Sequence, residues 1–295
     1  MSASIMPAST RGFLLGLLGV AIFAVTLPMT KLATAQPGFA GLSPVFITFG
    51  RAAVAGGLSI VYLLAIGARR PSVRDALELL LAGLGIVVGF PLFMGLAVQY
   101  VDAMHAAVIA GALPLGTAIL TALWMRERAS ARFWALAVFG FLLVLAFAHI
   151  ASGGKGFVPA DGLLLLAMAS ASAGYVLGAR LSRDRRPEEV ISWILVLYLP
   201  LTIPVSLWAR PQGAVEPVAW WAFAYLALFS MWLGFFAWYR GLALGGAMRV
   251  SQTQLLQPFL SMLVAVPLLG ERLDSLSLGF CLAIIVTVAM SRKVK

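Results

Sequence analysis

Long apolar runs, broken at regular intervals by short clusters of charge, Pro and Gly, make up almost the whole chain. Runs bounded in this way fall at about 12–33, 44–66, 76–98, 103–124 and 133–150, and again at about 160–180, 190–209, 219–239, 247–269 and 275–290. Each approaches the roughly 20 residues that carry an α-helix across a bilayer. The pattern therefore predicts an all-α integral membrane protein with ten transmembrane helices and no room for a separate soluble domain. The first run also has to be weighed as a cleavable leader, because Gly12 to Leu27 follows Arg11 and Ala33-Thr34-Ala35 has the small residues of a cleavage site. Its apolar stretch continues to Thr30 at full span length, so we expect a retained first span.

Composition strengthens this reading. Hydrophobic residues fill 62% of the 295 positions and charged ones 11%, against about 25% charged in an ordinary soluble domain. The net charge of +10 would suit nucleic acid only if the basic residues shared one solvated face. They are instead scattered between apolar runs, so no nucleic-acid partner is expected. With the amino terminus inside, 16 Lys and Arg residues fall in inner segments, whereas Lys155, Arg210 and Arg272 fall outside and Lys31 and Arg51 lie in or near the bilayer. The positive-inside rule then puts both termini in the cytoplasm. Tryptophan agrees in part, since Trp124, Trp134, Trp193, Trp208, Trp220, Trp221 and Trp238 fall near predicted span ends, where indole rings favour the interface. Trp232 alone falls near a centre. The single cysteine, Cys281, lies within an apolar run, which excludes a disulfide framework and a Cys-based metal site.

The two sets of five runs are related. Ala103-Met104-His105, Pro114 and Glu127-Arg128 recur as Ala247-Met248-Arg249, Pro258 and Glu271-Arg272, every pair offset by 144 residues. Gly95-Leu96-Ala97 answers Gly241-Leu242-Ala243 after a two-residue gap. The halves are thus about 1–150 and 157–295. Five spans is an odd number, so the second half enters the membrane upside down, the inverted-repeat plan of secondary transporters.

A mid-helix Pro followed thirteen residues later by Glu-Arg, at Pro114/Glu127 and Pro258/Glu271, together with Phe49-Gly50-Arg51 in the second span, resembles the drug/metabolite transporter superfamily of EamA type. The likeness covers essentially the whole chain. It implies alternating access about a cavity between spans one, three, four, six, eight and nine, export of amino acids or related metabolites, and a place in the bacterial inner membrane. Within the superfamily it leans towards the aromatic amino-acid exporters.

Candidate chemistry is sparse. All eleven acidic residues fall in connections or at span ends, and His105 and His149 fall at outer ends, leaving no evident proton carrier at the midplane. Gly153-Gly154-Lys155-Gly156 lacks the spacing of a phosphate-binding loop, so no ATPase partner, cofactor or metal is expected, and an intramembrane enzyme has no catalytic set at one depth. Arg51, about 10 Å into the second span, either meets a substrate carboxylate, joins helices or snorkels outward. Tyr225, Phe229, Trp232 and Phe236 recur at helical spacing, as one face of a pocket for aromatic or large apolar substrates or as packing. Ser251, Gln254, Pro258 and Ser261 share a face of the ninth span with Gln257 adjacent, and Tyr175 lies beside a small-residue stripe of Ser170, Gly174 and Gly178 on the sixth. Glutamine amides serve both the amine and the carboxylate of a substrate, and Pro114 and Pro258 are the candidate hinges. The expected partners are a small-molecule substrate and the lipid bilayer. An exporter of drugs or other metabolites is the neighbouring reading, and a channel the more distant one.

Overall fold

The computed structural model describes residues 7–36, 38–124, 130–151, 158–182, 185–245 and 250–293. Helix dominates throughout. We number the helical rods α1 (Ala8–Ala33), α2 (Pro44–Ala65), α3 (Val73–Ala97), α4 (Ala103–Ala110 and Leu113–Trp124) and α5 (Ala131–Ala151). The remainder are α6 (Pro159–Leu181), α7 (Pro187–Trp208), α8 (Pro217–Gly245), α9 (Ser251–Leu256 and Gln257–Leu269) and α10 (Ser275–Lys293). Among the described residues, seven helices are long and apolar enough to cross a membrane, in α1 to α3 and α5 to α8, and three shorter apolar helices lie in α4, α9 and α10. There are no strands among them, only two isolated β-bridges in the α1–α2 connection, Thr34 to Leu42 and Gln36 to Phe39.

Local chemistry sets the rod ends. α3 starts at Val73 rather than near residue 76 because Ser72 and Asp75 form a capping box: the Asp75 amide donates to Ser72 Oγ at 3.2 Å and the Ser72 amide to Asp75 Oδ2 at 3.3 Å. Proline opens α2, α6, α7 and α8 in the first turn, where its missing N–H costs nothing. α9 ends at Gly270, whose φ of 68° is the left-handed cap that glycine adopts without strain. α8 runs on to Gly245, beyond the expected end near residue 239. That extension corrects the placing of Trp238 at an interface: it is 2% exposed and packs its ring edge-on against Phe23, 6.4 Å between centroids.

The rods pack in pairs. α1 lies along α8 and α9, α6 lies along α3 and α4, and α2 meets α7, α4 meets α9 and α5 meets α10. This set of principal pairings is unchanged when every rod number is moved by five. Irregular turns share the correspondence. α3 and α8, the third rod of each five, both widen into π-helix, at Leu84–Gly89 and Leu226–Leu233. α4 and α9 both restart as α-helix one residue before a proline, at Leu113 and Gln257, the same 144-residue offset as the sequence repeat. Pro114 and Pro258 therefore stand in the first turn of a restarted helix instead of interrupting a continuous one.

α1 and α8 touch backbone to backbone. Gly12, Gly16 and Gly19 face Gly245, Gly241 and Trp238, and a Cβ added at Gly241 would lie 2.7 Å from the Gly16 amide nitrogen. On α6, Gly174 and Gly178 press in the same way on Ile86 of α3 and on the Tyr239 hydroxyl of α8. The small-residue stripe of α6 is thus a packing surface, the means by which helices associate when lipid tails are as apolar as the helices themselves.

Candidate functional site

Between the paired rods lies a small internal cavity of about 30 Å³, lined from α1, α3, α4, α6 and α9. α1 contributes Phe23, Thr26 and Leu27, and α9 contributes Gln254, Gln257, Pro258 and Ser261. Phe90 and Met94 of α3, Ala110 and Leu113 of α4 and Met168 of α6 complete an otherwise apolar wall. Such a space holds a water or two, whereas ligand pockets run to about 300–1,000 Å³. The cavity admits a metabolite only if the rods around it move.

Its polar groups divide into satisfied and unsatisfied. Pro28 in α1 has no N–H to give to the Ala24 carbonyl, and the Ser261 hydroxyl of α9 donates to that carbonyl instead, at 2.7 Å. Thr26 donates to Ser230 Oγ at 2.9 Å, tying α1 to the wide turn of α8. The Gln254 carbonyl is kept from α-helical pairing by Pro258, and the Gln257 amide takes it up through the 3₁₀ turn. The two glutamine side chains are left: Gln254 Nε2 and Gln257 Oε1 are enclosed with no hydrogen-bond partner. An unsatisfied buried amide group costs about 1–3 kcal/mol, so one donor and one acceptor stand ready on the wall.

The structure distributes the other sequence candidates differently. Tyr225 donates to the Ile22 carbonyl of α1 at 2.9 Å and stacks on Phe229, which is 43% exposed. Trp232 and Phe236 pack on each other and on Tyr62 of α2, 6.3 and 4.9 Å between centroids. The four rings thus do not form one inward face. The π-turn of Leu226–Leu233 has more residues per turn than the 3.6 on which the spacing argument rests, and none of the four lines the cavity. Arg51 is 3% exposed, which corrects the snorkelling alternative. Tyr175 packs against Phe235 at 6.2 Å and lies within electrostatic reach of Arg51. The side chains of Pro114 and Ser251, and all of Glu127, Lys155 and Ala247 to Arg249, lie outside the described residues. Sequence reasoning missed Phe23, Phe90, Met94 and Met168, which as apolar residues in apolar spans look like any lipid-facing side chain, and passed over Thr26, whose hydroxyl was the available signal.

A second polar assembly closes the end of the bundle where α4 begins. The Glu271 carboxylate accepts the backbone N–H groups of Ala103 and Met104, both at 2.7 Å. Burial holds its carboxyl above the usual carboxylate range, while the two N–H donors work the other way. Lys31 of α1 donates to the Val101 carbonyl at 2.6 Å and lies 3.7 Å from Asp102. His105 meets Asp161 at 2.7 Å, and the other Asp161 oxygen accepts the Val158 amide. Asp161 is at a span end, as expected, but it is fully buried. Among the described residues no three His, Cys, Asp or Glu side chains gather as metal ligands would.

Comparison with known proteins agrees with this architecture. The EamA-like transporter family matches residues 10–148 and again residues 158–292. The chain is 41% identical over 290 residues to the uncharacterized transporter YdeK of Bacillus subtilis (strain 168), covering 98% of this chain and 99% of that one. It is 26% identical over 259 residues to the uncharacterized transporter YyaM of the same organism, covering 84% and 83%. A solved crystal structure with 21% identity superposes with a TM-score of 0.64 over 96% of both chains, a likeness of fold. Two successive matches that take in nearly every residue, and a relative similar from end to end, make this chain a member of the EamA-like transporter family, in the drug/metabolite transporter superfamily.

Proposed function

We propose that this membrane transporter is a secondary exporter of amino acids with aromatic or large apolar side chains, or of related metabolites, working by alternating access. The observation that carries the reading is the small cavity between the rods, whose largely apolar wall carries the unpaired amide groups of Gln254 and Gln257 beside the already paired hydroxyls of Thr26 and Ser261. An apolar wall suits a bulky side chain, and an unpaired donor beside an unpaired acceptor suits the polar end of an amino acid. Gln254, Gln257 and Ser251 of α9 form the proposed polar contact. Arg51, Tyr175 and the α8 rings Tyr225, Phe229, Trp232 and Phe236 are not on the cavity wall in this packing.

The proposal includes ten spans in two inverted repeats, 1–150 and 157–295, in the bacterial plasma membrane with both termini cytoplasmic. Supporting it are the pairings unchanged by a shift of five, the matched π-turns of α3 and α8, and the matched restarts of α4 and α9. Pro114 and Pro258, at those restarts, are the proposed hinges between two packings.

Counterflow in proteoliposomes against a panel of amino acids, nucleosides and cationic drugs tests the function. Saturable exchange of aromatic and large apolar amino acids supports it, preference for cationic drugs replaces it with the multidrug reading, and flux without saturation points to a channel. Single cysteines at 213 and 72 in a Cys281→Ser background test the orientation: the first labels from outside and the second does not. Reversed labelling overturns the placement of both ends.

A further inference from the structure

The least explained group in the interior is a cation. Arg51 lies in the second turn of α2, where Phe46 and Gly50 pack on Phe223 of α8. Its Nε is enclosed and has no hydrogen-bond partner. The ion pairs of the described residues all lie near rod ends and none includes Arg51. Removing a guanidinium from water without a counter-charge costs several kcal/mol. No carboxylate of the described residues pairs with it to offset that cost.

Its polar neighbourhood is equally one-sided. The Tyr175 hydroxyl of α6 lies within electrostatic reach of Arg51. Tyr239 of α8 packs on the same Phe235 ring as Tyr175, and its hydroxyl is buried without a hydrogen-bond partner. All three groups bring N–H or O–H donors, and no carboxylate of the described residues faces them. A buried guanidinium with phenol O–H groups near it and no carboxylate counter-charge forms an anion site. The two tyrosines lie one layer of rings from the central cavity. Phe235 touches Tyr175 and Tyr239 on one side, and on the other lies 5.0 Å from Phe23, which lines the cavity.

We propose that Arg51, with Tyr175, is the subsite for an anionic group on the transported molecule, so that the substrate class is a carboxylic acid or zwitterion and not a neutral or purely cationic compound. This deepens the transport reading and rests on it. When the rods part, Phe23 and Phe235 separate and the cavity joins the space before Arg51. The carboxylate then exchanges its water shell for guanidinium and phenol donors, and the apolar remainder stays against Phe90, Met94 and Met168.

Matched acids and amides test this, because L-phenylalanine and L-phenylalaninamide, or L-leucine and L-leucinamide, differ only at the anionic end. Thermal stabilisation of the purified protein reads binding, and counterflow reads transport. Both acids are expected to stabilise the protein and exchange, with each amide at least about tenfold weaker, in keeping with a charge-assisted contact. Arg51→Gln removes the preference for acid over amide, Arg51→Lys keeps part of it, and the ligand-free Tm of each variant reports whether it has folded. Amides that match their acids in the wild type overturn the anion site without recourse to any variant. So does a wild type that neither acid stabilises. Binding that follows this pattern without counterflow leaves the anion site standing and sinks the transport reading.

Discussion

Glu271 receives the Ala103 amide at 2.7 Å, and through that bond the connection after α9 holds down the first turn of α4. Gly270 makes the contact possible, since its left-handed turn ends α9 and delivers the next residue to the neighbouring helix. Glu271→Ala leaves the Ala103 and Met104 N–H groups without their acceptor and is expected to cost about 1–3 kcal/mol, read as a lower Tm. The pH dependence has a definite sign. The folded pKa lies above the unfolded one because of burial, so this group's contribution to stability is greatest below the unfolded pKa and declines as pH rises through the folded one. The Tm of the wild type relative to Glu271→Gln should therefore fall between acid and neutral pH. A difference that grows with pH would show that the hydrogen bonds outweigh the burial.

The pair of half-buried His105 and buried Asp161 bears on energy coupling. Proton-coupled carriers normally titrate a group inside the membrane, and this pair sits at an end, so reconstituted protein should equilibrate substrate with no pH difference imposed. Accumulation driven by a pH difference alone would reverse that expectation. Asp161→Asn should then abolish accumulation while leaving counterflow.

Gln254 and Trp232 make opposite predictions from the same sequence argument. Gln254 lines the cavity and Trp232 packs against Tyr62 away from it, so Gln254→Ala should raise the half-saturation concentration roughly tenfold, the scale of one lost hydrogen bond to a charged group. Trp232→Ala should change it less and lower Tm more. Counterflow over a range of substrate concentrations measures both, and a larger kinetic effect at Trp232 would return the ring face to the binding site.

Gly241 tests the closest helix approach. Its added Cβ meets the Gly16 backbone, which has no side chain to turn aside, so Gly241→Val should force α1 from α8 and cost about 1–3 kcal/mol. Gly279, with nothing within 4 Å, serves as the control, and Gly279→Ala should leave Tm unchanged. Equal Tm values for the two variants would show that the α1–α8 contact is looser than its geometry.

The membrane class, the approximate rods and the repeat were legible in the sequence, because each depends on local or self-comparing information. Span length is imposed by bilayer thickness whatever the neighbours are, and the 144-residue correspondence needs only the chain set against itself. Gln254, Gln257 and Ser261 were legible for a related reason, since polar side chains stand out in an apolar helix. Which apolar face points inward was not. Lipid and protein interior are equally apolar, so Phe23 on the cavity wall and Phe229 at the outside carry the same signature. Only the tertiary structure decided between them, through the glycine contact of α1 with α8 and the π-turn that rotates the α8 rings apart. The same holds for Arg51: the chain shows a charge in a span, and packing alone leaves it enclosed with no carboxylate of the described residues paired with it.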